Sequence, residues 1–180
     1  MTYIQNIIKN ILILSILVFI LSCNNNKENN ISTNEEIVNT DSSKITSKDI
    51  AKLKYTDYAL SRLTQNKTSN WQKFNELTNI IETLKSGDLS FFKDDKAILT
   101  SFLNDLKNEV PESLNTPSVL VRLSVIETAF LKLEGLAILS SAKKEDLLKT
   151  IKDVLVSYTN LVFQMNKKFE KESQNIVKPN

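Results

Sequence analysis

The feature of this sequence that most restricts its fold is a run of apolar residues near the C-terminus, spaced alternately three and four residues apart. Such spacing places the side chains along one side of an α-helix and predicts a helix over about 142–173, about 40 to 45 Å long. Leu147, Val154 and Leu161 broaden the stripe. We interpret it as packing on the core of the same chain, and the alternative is an intermolecular coiled coil. The stripe consists of Leu148, Ile151, Leu155, Tyr158, Val162, Met165 and Phe169.

A second helix is predicted immediately before this one. Thr116-Pro117 is a typical helix start, because the threonine hydroxyl can cap the helix while proline fixes the first helical φ and has no N–H to satisfy. Residues 118 to about 139 are apolar on almost every side, so we expect this helix at the centre of a bundle. Gly135 lies inside it at a cost of about 1 kcal/mol relative to alanine, which predicts a close approach by a neighbouring helix.

Three further helices are predicted upstream. The first covers about 48–65, and the second ends at Gly87, because a glycine readily adopts the left-handed conformation that stops a helix. The third begins after Asp88 or Ser90, carries Asp94 and Asp95 in its first turn, where carboxylates favour a helix N-terminus, and ends before Pro111. Its predicted apolar face consists of Leu99, Phe102, Leu103 and Leu106. The C-terminal helix is longer than all of these. Either it overhangs the bundle, or the first helix packs beside its far end.

These helices place the chain in the all-α class, as a bundle of four to five helices. Two glycines and three prolines are too few for the many tight turns of a sandwich or a barrel. We expect one helical domain over 48–175 and a disordered tail over 176–180. A disordered tether over 23–47 precedes the domain, because polar residues predominate there and its few apolar residues, Ile45 among them, are too scattered to form a buried face.

The N-terminus carries the pattern of an export signal. Lys9 precedes a largely apolar run over 11–21, which has the length of a signal-peptide core and is too short to span a bilayer of about 30 Å. Ile20-Leu21-Ser22-Cys23 resembles the lipobox of bacterial lipoproteins, although a leucine stands where the usual pattern has a smaller residue. Together with Lys27-Glu28, the segment resembles the start of lipoproteins of the Bacteroidota.

This resemblance implies that residues 1–22 are a signal peptide removed before Cys23, and that acyl chains on Cys23 anchor the protein to a membrane. The expected location is the cell envelope, at the outer membrane, on its periplasmic or surface face. The alternative is an ordinary secretory signal that leaves a free thiol. A lone cysteine in an oxidising compartment is reactive, and acylation removes that reactivity.

The composition excludes the most familiar kinds of active site. The chain has no histidine, and Cys23 is its single cysteine, so it lacks Ser-His-Asp and Cys-His sites and histidine-ligated zinc. It also lacks a glycine-rich phosphate loop. The 23 basic and 21 acidic residues give a formal charge of +2, which is too small to indicate a nucleic-acid-binding protein. We therefore predict no enzyme activity, no cofactor, no metal site and no nucleic-acid partner.

The helix expected to be most buried contains four charged residues, and three of them are the candidate ligand-contacting or buried polar residues: Arg122, Glu127 and Glu134. The two glutamates lie about 10 Å apart along one side of the helix, whereas Arg122 points about 140° away. We expect Glu127 and Glu134 at the core margin, each paired with a residue of a neighbouring helix. If Glu127 is buried, removing it should cost a few kcal/mol. Catalysis by the two glutamates is an unfavoured alternative, since paired catalytic carboxylates normally come from different elements.

Three classes of function remain. The first is a protein-interaction or accessory module of the cell envelope, held by lipid and bound to another envelope protein. The second is a binder of a small apolar or amphipathic ligand between helices, which requires a pocket of a few hundred Å³. The third is an enzyme of unfamiliar chemistry, which requires titrating groups that converge on a concave site. Lipid anchoring and the absence of familiar catalytic residues favour the first.

Overall fold

The structure is a computed structural model, and it describes residues 44–174. The predicted signal peptide, Cys23, most of the predicted tether and the predicted tail lie outside the described residues.

The predicted all-α class is confirmed: within 44–174 the chain forms seven α-helices, one short 3₁₀-helix over Glu112–Leu114, and no strand. In chain order the helices are α1 (Ser47–Ala51), α2 (Arg62–Thr68), α3 (Gln72–Lys85), α4 (Ser90–Lys93), α5 (Lys96–Asn108), α6 (Pro117–Ala137) and α7 (Lys144–Ser173).

Helices α6 and α7 form a long hairpin on which the remaining helices pack. The Thr116 side chain accepts a hydrogen bond from the Val119 N–H, and Pro117 is the first helical residue, as predicted. Six of the seven residues of the predicted α7 stripe are buried and the seventh, Leu148, is partly buried against the same cluster. The interpretation of that stripe as a core-facing surface is therefore confirmed.

Helix α3 ends as predicted at Gly87, where φ is +92°. The Gly87 N–H donates to the Leu84 carbonyl, and the Asp88 N–H donates to the Thr83 carbonyl. These two bonds are the Schellman arrangement, which needs a left-handed residue after the helix. An added Cβ at Gly87 would lie 3.0 Å from the backbone carbonyl carbon of Thr46, so the absence of a side chain lets the start of the described chain cross here.

The prediction of one helix over 48–65 is wrong. Helix α1 ends at Ala51, residues 52–61 are not helical, and α2 begins at Arg62. The intervening segment is held by side chains of α7: Thr159 accepts from the Tyr58 N–H at 2.7 Å and donates to the Thr56 carbonyl at 2.8 Å. These bonds replace the ones a helix would supply, which local sequence periodicity cannot reveal.

Asn166, two helical turns further along α7, repeats this pattern. Its side-chain oxygen accepts from the Ser61 N–H at 2.9 Å, and its amide donates to the Ala59 carbonyl at 2.8 Å. The segment 52–61 therefore runs along α7 and delivers α2 to the later part of that helix, where the two are in contact. Of the two arrangements expected for the long helix, the second is nearer the structure, since upstream residues cover its far end.

The helix predicted to begin after Asp88 or Ser90 is two helices in the structure, α4 and α5. Asp95 is not in the first turn but is the N-cap of α5, and its side chain accepts from the Ala97 N–H at 2.8 Å. The predicted apolar face is confirmed, because every residue of that face is buried: Leu99, Phe102, Leu103 and Leu106.

The start of the folded region lies earlier than the predicted boundary between residues 47 and 48. Ile45, assigned above to the tether, is 4% exposed and belongs to the core. Thr46 and Asp49 form a capping box at the start of α1, and Lys144 of α7 pairs with Asp49 at 2.9 Å. The hydrogen bond from the Thr46 hydroxyl and that from Lys144 hold the pKa of Asp49 at about 2.

Candidate functional site

Glu127, the first of the three charged residues predicted to matter in α6, is paired with Lys107 of α5. This confirms the expectation that its partner comes from a neighbouring helix. The two side chains are 32% and 30% exposed, so Glu127 lies at the core margin and is not fully buried. The pair joins α5 to α6, and this is a structural role.

Glu134 and Arg122 do not complete a site around Glu127. Glu134 is 7% exposed but makes no ion pair or side-chain hydrogen bond within 44–174, so the expected partner on another helix is not found there. Arg122 is partly buried and projects from a different side of α6. The three charges are therefore separate features.

The ion pair predicts a modest effect on stability. Glu127→Ala should lower the free energy of unfolding by about 1 kcal/mol or less, because a pair that is one-third exposed is screened by water. Chemical denaturation of Glu127→Ala, Lys107→Ala and the double variant measures their coupling. The more exposed pair of Lys132 and Asp153, 53% and 48% exposed, is the control and should couple more weakly. A loss of several kcal/mol for Glu127→Ala would contradict this assignment.

The prediction that α6 lies at the centre of the bundle is wrong, since no helix within 44–174 covers one of its sides. Large apolar residues on this side are exposed, with Val121 at 59% and Ile138 at 57%. At 100° per residue they lie within an arc of about 140°. We call this surface the α6 face, and its exposed apolar residues are Leu120, Val121, Val125, Leu131 and the C-cap residue Ile138.

Four smaller or polar residues follow the middle of the α6 face: Ser124, Thr128, Lys132 and Gly135. The Ser124 hydroxyl donates to the Leu120 carbonyl, and the Thr128 hydroxyl donates to the Ser124 carbonyl. Both hydroxyls are thus satisfied within the helix, and the surface can come into contact with apolar groups without leaving a donor unpaired. These four residues lie on one side of the helix because they are spaced three and four residues apart. This spacing of small and polar residues is the sequence signal that could have indicated an uncovered side of α6.

Within 44–174 Gly135 has no neighbour where a side chain would project, since an added Cβ would meet nothing within 4 Å. The predicted close approach by a neighbouring helix is therefore not found in this part of the chain. A glycine inside a helix still costs about 1 kcal/mol relative to alanine, and no contact within 44–174 explains that cost.

A surface groove of about 690 Å³ runs beside this face, between α6 and α7. Val156, Ser157 and Asn160 of α7 form its second wall. The Ser157 hydroxyl is satisfied by the Val154 carbonyl at 2.7 Å. Lys132 pairs with Asp153 across the groove at 3.1 Å, so the charges that line it neutralise each other. The groove therefore offers a mainly apolar and electrically neutral surface.

A second, more polar cavity of about 460 Å³ lies beside the segment 52–61. Lys85 on its wall is 2.9 Å from both Asp57 and Glu82. Burial opposes the charge of Lys85, but the hydrogen bonds to these two carboxylates outweigh it and raise its pKa above the usual value. Burial also raises the pKa of Tyr158 on the same wall. The raised pKa values keep Lys85 charged and Tyr158 neutral near neutral pH, so neither of these two side chains can act as a base or a nucleophile there.

A third cavity, of about 1150 Å³, lies where the described chain begins. Its wall includes Lys44, Gly87 and Ile138.

Within 44–174 no group of histidine, cysteine and acidic residues is placed to hold a metal ion, and no helix of this part is long and apolar enough to cross a membrane.

Comparison with protein-family models, with curated proteins and with solved structures finds no match for this chain.

Proposed function

We propose that this protein is a lipid-anchored helical domain of the cell envelope that serves as a protein-interaction or accessory module, and that the α6 face is its docking surface. The observation that carries the proposal is the concentration of exposed apolar side chains on this one face. Five of the ten exposed large apolar residues within 44–174 belong to it. Contiguous apolar surface of this kind is typical of sites at which proteins associate.

The composition of the α6 face makes it favourable for a protein partner to cover this surface and to displace water from it. Its hydroxyls are bonded within their own helices, and its lysine is paired with Asp153. A partner that covers the face therefore leaves few polar groups unsatisfied, and each covered Å² of apolar surface contributes about 25 cal/mol before the costs of association. The anchoring part of the proposal depends on the resemblance of Ile20-Leu21-Ser22-Cys23 to a lipobox.

The shape of the groove favours a protein over a small ligand. Ligand pockets enclose most of the surface of the molecule they bind. Val121 and Val125 on the wall of the groove are 59% and 44% exposed, so the groove is a surface feature that a flat or convex partner can cover. At this groove the second candidate, a binder of a small apolar ligand, therefore has less support.

Site-specific photo-crosslinking tests the proposal in intact cells. A photoreactive phenylalanine derivative at Val121 should give one discrete adduct, and the same group at Ile98, which is 48% exposed on α5, should give none. Val125→Asp should abolish the Val121 adduct, because a carboxylate in the middle of the face would have to be desolvated. Mass spectrometry of the linked peptide identifies the partner. Equal or absent adducts at the two positions would contradict the proposal.

A further inference from the structure

We infer that the partner of the α6 face is the same face of a second copy of this chain, packed antiparallel about a twofold axis near Thr128. This inference rests on the proposed function, because it uses the same docking surface. It follows from the distribution of size and charge along the face, which matches itself when one copy is reversed.

The centre of the face has the spacing of a helix-pairing seam. Val121, Val125, Thr128, Lys132 and Gly135 follow one another at intervals of four, three, four and three residues. This is the interval at which two helices pack side by side over several turns. Within 44–174 no helix covers this seam, whereas the corresponding stripe of α7 is buried in the core.

The sizes of the side chains are complementary in the antiparallel arrangement. With Thr128 at the twofold axis, Val121 of one copy lies at the level of Gly135 of the other, because each is seven residues from the axis. Val121 is the most exposed large apolar residue within 44–174, and an added Cβ at Gly135 would find only open space. A large side chain thus meets the residue without one, as in helix pairs that approach closely. This contact would account for a glycine that no intrachain contact explains.

The charges select the antiparallel over the parallel arrangement. In a parallel pair each Lys132 would face the Lys132 of the other copy, and two like charges in a newly desolvated contact are unfavourable. In the antiparallel pair Lys132 lies at the level of Ser124, and the two lysines are about 12 Å apart along the axis. Each lysine also keeps its own partner, Asp153, at 3.1 Å.

The size of the surface predicts a moderately weak dimer. The face is about 30 Å long and, with the flank of α7, about 20 Å wide, or on the order of 600 Å². Specific interfaces of standard size bury about 800 Å² on each partner. We therefore expect dissociation constants in the micromolar range in solution, and a higher occupancy when both copies are held on one membrane.

Sedimentation equilibrium of the chain from residue 23 onward, carrying Cys23→Ala, tests the inference at about 1 µM to 1 mM. The protein should form a dimer, and Gly135→Leu and Val121→Lys should each weaken it at least tenfold. Leucine has a higher helix propensity than glycine, so Gly135→Leu should keep its helical circular dichroism and should not unfold more easily. Ile98→Lys is the matched control and should leave the dimer intact. A monomer at every concentration, or a dimer that is insensitive to both face variants, would overturn the inference.

Disulfide formation tests the orientation in the same cysteine-free background. Thr128→Cys chains should link to each other, because the residue lies at the axis. Val121→Cys chains should not, since the two positions are about 21 Å apart along the axis, and a disulfide needs Cα atoms within about 7 Å. Mixing Val121→Cys with Gly135→Cys chains should give the mixed disulfide. Efficient linking of Val121→Cys to itself would instead indicate the parallel pair and overturn the antiparallel arrangement.

The photo-crosslinking experiment separates failure of this inference from failure of the proposed function. An adduct at Val121 with twice the mass of the mature chain supports both. An adduct with a different protein overturns the inference and leaves the docking surface intact, whereas the absence of any adduct contradicts the docking surface itself.

Discussion

Cys23→Ala should transfer the protein from the membrane fraction to the soluble fraction and should abolish acylation of its N-terminus. The physical reason is that two or three acyl chains hold a protein on a bilayer at about 0.8 kcal/mol per buried CH₂ group, and no acyl group can be attached to an alanine side chain through sulfur. We expect a large effect, because the proposed anchor is attached to the protein through the sulfur of Cys23.

Fractionation of cells that produce the wild type, Cys23→Ala and Asn26→Ala measures the effect. Asn26→Ala is the matched control, because it changes a nearby polar residue and keeps the thiol, and it should stay with the membrane. Mass spectrometry of the wild-type N-terminus should find a chain that begins at an acylated Cys23. An unacylated Cys23, or a Cys23→Ala variant that remains bound to the membrane, would contradict the lipoprotein resemblance.

Helix boundaries set by local chemistry were predictable from the sequence. The start of α6 follows from Thr116-Pro117, and the end of α3 follows from Gly87, because a cap and a left-handed residue act within a few positions of themselves. The buried stripe of α7 was predictable for a related reason, since 3.6-residue periodicity records which side of a long helix is covered.

The errors arose where distant residues override local preference. Residues 52–61 leave the helical conformation because Thr159 and Asn166, about a hundred positions later, bond their backbone groups. Periodicity within a segment contains no information about such partners. The early entry of Ile45 into the core is a similar case, since one isolated apolar residue carries no periodic signal.

The candidate site was predictable only in part for a different reason. The charged residues of α6 were predicted to matter because an apolar helix was expected to be enclosed by others, and a charge inside an enclosed helix needs a partner. The structure leaves one side of α6 open, so the informative residues are instead the exposed Val121 and the unfilled Gly135. An apolar sequence indicates that surface will be covered, but it does not say whether the cover comes from the same chain.

Replacing each of the two glycines of the chain with alanine should change the free energy of unfolding in opposite directions. Gly87→Ala should lower the free energy of unfolding by about 1 to 3 kcal/mol, since alanine rarely adopts a φ of +92°. The new methyl group would also lie 3.0 Å from the Thr46 carbonyl carbon and 3.1 Å from the Ser47 nitrogen. Backbone at that distance must shift, and the capping box of α1 and the burial of Ile45 depend on its position.

Gly135→Ala is the matched control and should raise the free energy of unfolding by about 0.5 to 1 kcal/mol. Its backbone is helical, nothing lies within 4 Å of the added methyl group, and alanine loses less conformational entropy than glycine in a helix. Urea denaturation of the two variants and the wild type should be compared at a concentration where the protein is monomeric, so that pairing through the α6 face does not contribute. If Gly87→Ala were as stable as the wild type, the left-handed stop after α3 and the tight crossing at Thr46 could not both be present in solution. If Gly135→Ala were destabilised in the monomer, the space beside Gly135 could not be open, and the argument for a second copy at that position would fail with it.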